Sequence, residues 1–156
     1  MKPRIIGQLC VVLLLLATSS AASLQEIPTT ICELVSHDQS LSGQPVRLRV
    51  IYITDLRHGA VLLDRRCPKV HLTPYDSADT VDPSVKVFDD AVYGRIDDLE
   101  LRQFVVDVSG RFTWHGHGES YGSLEIEKIW SFKRIHGDWK NEENSVNDSV
   151  ILPNSP

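Results

Sequence analysis

The densest chemistry in this chain lies in six residues, Trp114-His115-Gly116-His117-Gly118-Glu119. Two imidazoles and a carboxylate this close together are good donors for a first-row metal, zinc or copper above all. His58, on another turn, is a third imidazole that a barrel could bring beside them. His115, His117 and His58 are therefore the candidate metal ligands. The same segment also reads as an ordinary surface turn, with glycines supplying positive φ and the histidines simply solvated. A His-x-His pair without further ligand spacing decides nothing, so the expectation is a protein without a cofactor. Gly116-His117-Gly118 is no dinucleotide fingerprint, because it leads into a strand pattern, whereas pyrophosphate needs a helix N-terminus.

A second set of residues suits binding. Arg57, His58, Arg65 and Lys69 offer cations, while Trp114 and Tyr121 offer flat rings on which sugars or bases stack. Each has a plainer use: Trp114 as the cap of a barrel end, Arg65-Arg66 as a solvated rim. Arg47 and Arg49 project from one face of a strand, where acidic neighbours such as Asp107 would make them cross-strand partners. Asp89-Asp90 and Asp97-Asp98 read as solvated carboxylates, useful for acid–base work only inside a cleft. Gly118-Glu119-Ser120-Tyr121-Gly122 has the Gly-x-Ser-x-Gly spacing, but it leads into a strand pattern and not into the helix of a nucleophile elbow. The pattern describes a binder, not an enzyme.

The N-terminus predicts an address. Lys2 and Arg4 precede an apolar run from Leu9 to Ala17, followed by small residues through Ser23. That order reads as a secretory signal cleaved after Ala22, and the run falls short of the roughly 20 apolar residues of a membrane span. The expected location is secreted or periplasmic. What remains is 134 residues of the 156, enough for one domain with a real core. Without Lys2 and Arg4, 14 of the 16 basic residues face 21 acidic ones, a net charge of −7. Such a field repels phosphate overall, so no nucleic-acid partner is expected, although a local basic patch is compatible with it. Cleavage also removes Cys10 and leaves Cys32 and Cys67 in an oxidising compartment. They can form one disulfide; two buried thiols or a metal site are the alternatives.

These residues must be positioned by a mostly β fold. Thr30 with Glu33 reads as the capping box of a short helix ending near His37. Val46, Leu48, Val50 and Tyr52 alternate with Arg47 and Arg49, the period of a half-buried strand. Residues 55–59 turn the chain, 60–64 return as a second strand, and Lys69 to Leu72 is a weaker third. After a loop, Asp82-Pro83 opens a second helix that Gly94 closes. Phe104, Val106, Val108, Gly110 and Phe112 mark a fourth strand, and Ser123 to Lys133 a fifth whose alternation slips near Glu127-Lys128. The division is thus a signal at 1–22, a domain at 23–140 and a disordered polar tail at 141–156, where Asn147-Asp148-Ser149 is a glycosylation triplet.

Three strands, a helix and two strands is the order of an OB-fold, a five-stranded partly open barrel. A small α+β sandwich shares much of the pattern. The helix carrying Cys32, then Gly43, Val46-Arg47-Leu48-Arg49, Cys67-Pro68, Val108-Ser109-Gly110-Arg111-Phe112 and Tyr121-Gly122 resemble the small exported OB-fold-like proteins of bacteria, over residues 31–135. The resemblance implies a barrel and an envelope or secreted location, and supplies no catalytic residues. The expectation is a binding module for an envelope component, a carbohydrate or a protein partner, its ligand face on strands two and three. The turns at 55–59 and 114–122 are expected to meet at one rim of that face.

Overall fold

The computed structural model describes residues 30–76, 82–94, 100–118, 120–141 and 150–151. The expected leader, Asp97-Asp98, Glu119 and the Asn147 triplet lie outside the described residues.

The chain is mainly β: a mixed five-stranded sheet closed into a ring, with two helices. Strands β1 (Pro45–Thr54), β2 (Ala60–Leu63), β3 (His71–Asp76), β4 (Arg102–Trp114) and β5 (Gly122–Arg134) follow one another, with helices α1 (Ile31–Ser36) before β1 and α2 (Pro83–Tyr93) between β3 and β4. Neighbours around the ring are β3, β2, β1, β4 and β5, and β5 pairs back onto β3. Every pairing is antiparallel except β3 with β5, which is parallel. Within the segment read as a polar tail, Val150–Ile151 forms a short β6 opposite Ser131 and Phe132 of β5. No helix among the described residues is long and apolar enough to cross a membrane.

Alternation decides which side chains fill the ring. Leu48, Val50, Tyr52, Leu62, Leu72, Phe104, Val106, Val108, Phe112 and Leu124 are all buried in one core. Their sequence neighbours point outward, as the period of two demands. Against β4, β5 skips one residue at Trp130 and another at Glu127, so the slip near Glu127-Lys128 is one of two register irregularities. Bulges of this kind bend a strand and add twist, which helps a short sheet to close.

Helix α2 covers the end of the ring where β1 finishes and β4 begins. Asp82 caps it by accepting from the Ser84 amide, and Pro83 occupies its first turn. Phe88 then drives edge-on into Tyr52, Phe104 and Phe132, with centroids 5.1, 5.4 and 5.3 Å away. The other end belongs to α1. Thr30 accepts from the Glu33 amide, Ile31 and Leu34 are fully buried, and Cys32 is joined to Cys67 with Cα atoms 5.7 Å apart.

The third strand differs from expectation. It begins at His71 and continues through Pro74 to Asp76, where the sequence reads as loop. Pro74 survives there because β2 pairs only with His71 and Leu72, so beyond Leu72 the strand has β5 on one side alone.

Candidate functional site

The turn between β4 and β5 is an aromatic corner. Trp114 ends β4, and its amide donates to Ser42 Oγ at 3.0 Å. The His115 amide donates to the Tyr121 carbonyl at 3.1 Å, and the Tyr121 amide to the His71 carbonyl at 3.2 Å. These bonds hold three rings together: Trp114 lies 5.5 Å from His117 and 6.1 Å from Tyr121, and His117 lies 5.8 Å from Tyr121. Trp114 and Tyr121 are half-buried, each keeping part of its surface in solvent. Bonds within the protein thus hold two aromatic faces in place.

The histidines of this corner are used separately. His115 Nε2 sits 3.2 Å from Ser123 Oγ, while His117 packs against the two larger rings. Among the described residues, the one grouping of three metal-ligating side chains is Cys32, Asp64 and Cys67, whose sulfurs are bonded to each other.

His58 is elsewhere. In the β1–β4 register Thr54 faces Arg102 and Pro45 faces Arg111, so the turn after β1 and the turn after β4 stand at opposite ends of β1. Ten residues of strand, about 30 Å, separate them. The shared rim expected from the sequence is therefore corrected: antiparallel partners send their C-terminal turns in opposite directions. Arg57 and His58 are exposed at the α2 end. There Asp55 closes the turn, accepting from the Arg57 and His58 amides and from His58 Nδ1 at 2.5 Å. The bond holds the Asp55 carboxyl well below the usual range and raises the His58 imidazole. His58 is not a third ligand for His115 and His117.

Arg65, Lys69, Trp114 and Tyr121 do gather at the α1 end. The residues that face outward there form one cross-strand row, Val105, Ile51, Leu63 and His71, each opposite the next. Tyr121 follows His71 in this row, because Leu72 pairs with Gly122. Lys69 is exposed just before β3.

Beside the row lies a cavity of about 350 Å³, lined by Ile51, Leu63 and Val105 and by Arg49, Arg65 and Arg66. Asp64 also lines it, buried and accepting from the Ile31 amide at 3.3 Å, the Arg66 amide at 2.9 Å and the Arg66 guanidinium at 3.2 Å. Arg65 Nε and Nη2 are shielded from solvent with no acceptor among the described residues. Of the two arginines expected to pair with acidic neighbours such as Asp107, Arg47 does so, holding both oxygens of that carboxylate at 2.9 and 2.8 Å, and Arg49 does not.

A second cavity, about 210 Å³, lies under α2 and has the opposite character, being lined by Tyr52, Thr54, Asp76, Asp89 and Tyr93 among others. Burial, with Asp76 and Asp90 close by, lifts the Asp89 carboxyl to about 6. Burial also raises the Tyr52 and Tyr93 phenols. The sequence showed no cleft at Asp89, because the cavity arises where α2 docks on the ends of β1 and β3. Compared with known proteins, the chain matches no protein-family model, no curated protein and no solved structure.

Proposed function

We propose that the chain is an exported binding module with the OB-fold arrangement, a five-stranded barrel that holds an extended carbohydrate chain across the outer face of β1, β2 and β3. The ring order, the parallel β3–β5 pair and the helix between β3 and β4 support the barrel reading. The signal-like N-terminus supports export. One observation carries the ligand class: Tyr121 ends the outward row with the apolar centre, and Trp114, whose inner side packs on Phe112 and the core, keeps part of its ring in solvent 6.1 Å from it, both held through their amides. Sugar rings have apolar faces that stack on aromatic surfaces, and a preset pair avoids the ordering cost of a mobile one. Arg57 and His58 stand at the far end, so the two turns bracket the face and do not share a rim. The role is recognition without a reaction.

Isothermal titration with soluble neutral and acidic oligosaccharides, such as N-acetylglucosamine and galacturonate oligomers, tests this. At least one class should bind saturably, and Trp114→Ala and Tyr121→Ala should each weaken it about tenfold, by analogy with lost base stacking. Thermal melting of both variants checks that the ring still folds. Undiminished affinity in both folded variants, or no binding to any oligosaccharide, would refute the carbohydrate reading.

A further inference from the structure

We infer that the cavity beside Arg49 and Arg65 is an oxyanion subsite, built to take the carboxylate or phosphate group of an acidic ligand. The charges around it do not balance. Three guanidinium groups line the cavity, and one carboxylate, Asp64, lines it with them. Asp64 and Arg66 satisfy each other through the bonds already described. Arg49 has no hydrogen-bond or ion-pair partner among the described residues, since Arg47 holds both oxygens of the carboxylate opposite it.

Arg65 makes the case sharper. Its Nε and Nη2 are closed to water, that of the cavity included, and have no acceptor among the described residues, so they reach an anion there by a turn of the side chain. An arginine cannot relieve this by losing its proton, as a buried lysine can. A buried charged donor without a partner is costly, and an anion accepting from it removes that cost. The guanidinium fork matches the geometry of carboxylate and phosphate oxygens. Ile51, Leu63 and Val105 in the same lining reduce the screening of that attraction by water. All this occurs on a chain whose formal net charge is −5, so the positive cavity is a local arrangement and not a reflection of overall composition.

The cavity adjoins the row that leads to His71 and Tyr121. The inference thus rests on the carbohydrate reading for the rest of the ligand, and makes that ligand an acidic sugar. The oxyanion site itself is testable without it.

The test is titration of the purified protein with inorganic phosphate and, separately, with monomeric galacturonate, read by calorimetry and by the Nε–Hε resonances of the arginines. The expected result is saturable binding of at least one anion, with the Arg65 resonance shifting. Arg65→Gln should weaken it tenfold or more, the scale of a lost hydrogen bond to a charged group. Arg49→Gln should weaken it several-fold, Arg65→Lys should recover part of the loss, and Lys86→Gln, an equal charge change on α2, should leave it unaltered. A preference for galacturonate over phosphate identifies the group as a carboxylate, and the reverse identifies a phosphate. No saturable binding of either anion, or equal losses in the Lys86 variant, overturns the subsite. If oligosaccharides bind through Trp114 and Tyr121 with no preference for acidic ones and neither anion binds at Arg65, the subsite falls and the module stands. If phosphate or galacturonate binds at Arg65 while no oligosaccharide binds, the subsite stands and the carbohydrate reading falls.

Discussion

Arg47 grips both carboxylate oxygens of Asp107, although in the β1–β4 register the residue directly opposite Asp107 is Arg49. The diagonal pairing has a visible cause. The Arg47 guanidinium lies 4.3 Å above the Trp130 ring, whose other cationic neighbour, Lys128, is at 4.4 Å. Stacking on Trp130 orients the fork toward Asp107, and Trp130 is itself anchored by its indole N–H on Ser109 Oγ at 3.1 Å.

This relationship predicts an effect at a distance. Arg47→Gln should release Asp107 to pair with Arg49 and so weaken phosphate or galacturonate binding several-fold, although Arg47 does not line the cavity. Asp107→Asn added to that variant should restore the affinity. Because Arg47 is half-exposed, the single change should cost about 1 kcal/mol of stability or less. Calorimetry on the two variants beside urea unfolding checks both halves, and unchanged anion affinity in Arg47→Gln would remove the proposed competition.

The disulfide should matter more. Cys32 and Cys67 are 35 residues apart and tie α1, which buries Ile31 and Leu34, to the turn after β2. In the chain-entropy model, opening that loop costs about 3 to 4 kcal/mol. The Cys32→Ser/Cys67→Ser double variant should lose that much in urea unfolding. A loss below about 1 kcal/mol would mean that Asp64, through its bond to the Ile31 amide, and the buried face of α1 hold the helix without the bond.

Much of this architecture was legible in the sequence, and the reasons are specific. The alternation from Val46 to Tyr52 and the Asp82-Pro83 cap are local signals that produced the expected elements, and Cys32 is bonded to Cys67 as expected. What failed was relational. Nothing in residues 69–76 announces a parallel partner, and Pro74 argues against a strand until β2 is known to stop short. The meeting of the turns at 55–59 and 114–122 was assumed from a fold, whereas the antiparallel β1–β4 register decides it the other way. The arginine cavity was hidden for a similar reason: which of two arginines Asp107 chooses depends on a tryptophan on β5.

Asp89 predicts a pH dependence with a definite sign. Its carboxyl is raised in the folded chain to about 6 from an ordinary value of 3.8, chiefly by burial and then by Asp76 and Asp90, with Lys86 opposing. The folded state therefore holds more protons than the unfolded one between those two values. Stability contributed by the protonated form is complete below about 3.8 and is lost as pH rises through about 6. The group keeps considerable solvent contact, so the effect should be about 1 kcal/mol after screening. Asp89→Asn should accordingly stabilise the protein by about that amount at pH 7 and change little at pH 3.5. Equal effects at both pH values would show that the substitution acts through packing and not through charge.

Two glycines on β4 and in the turn that follows it should respond differently to alanine, because one position lacks room and the other requires an unusual backbone. A Cβ on Gly110 would run into the Glu125 carbonyl oxygen and lie 2.9 Å from its carbon, both backbone atoms of β5. The strands would have to part at a register irregularity next to the core, and overpacking of this kind costs about 1 to 3 kcal/mol or more. At Gly116 there is open space, but φ is +96°. The cost there is conformational, about 1 kcal/mol, and falls on the turn that holds Trp114, His117 and Tyr121 together. Gly110→Ala should thus lower the unfolding midpoint strongly and broaden amide resonances along β4 and β5. Gly116→Ala should lower the midpoint by only a few degrees while weakening oligosaccharide binding, because the rings are no longer preset. If Gly116→Ala binds as well as the parent, the ligand does not depend on that aromatic corner being held in advance.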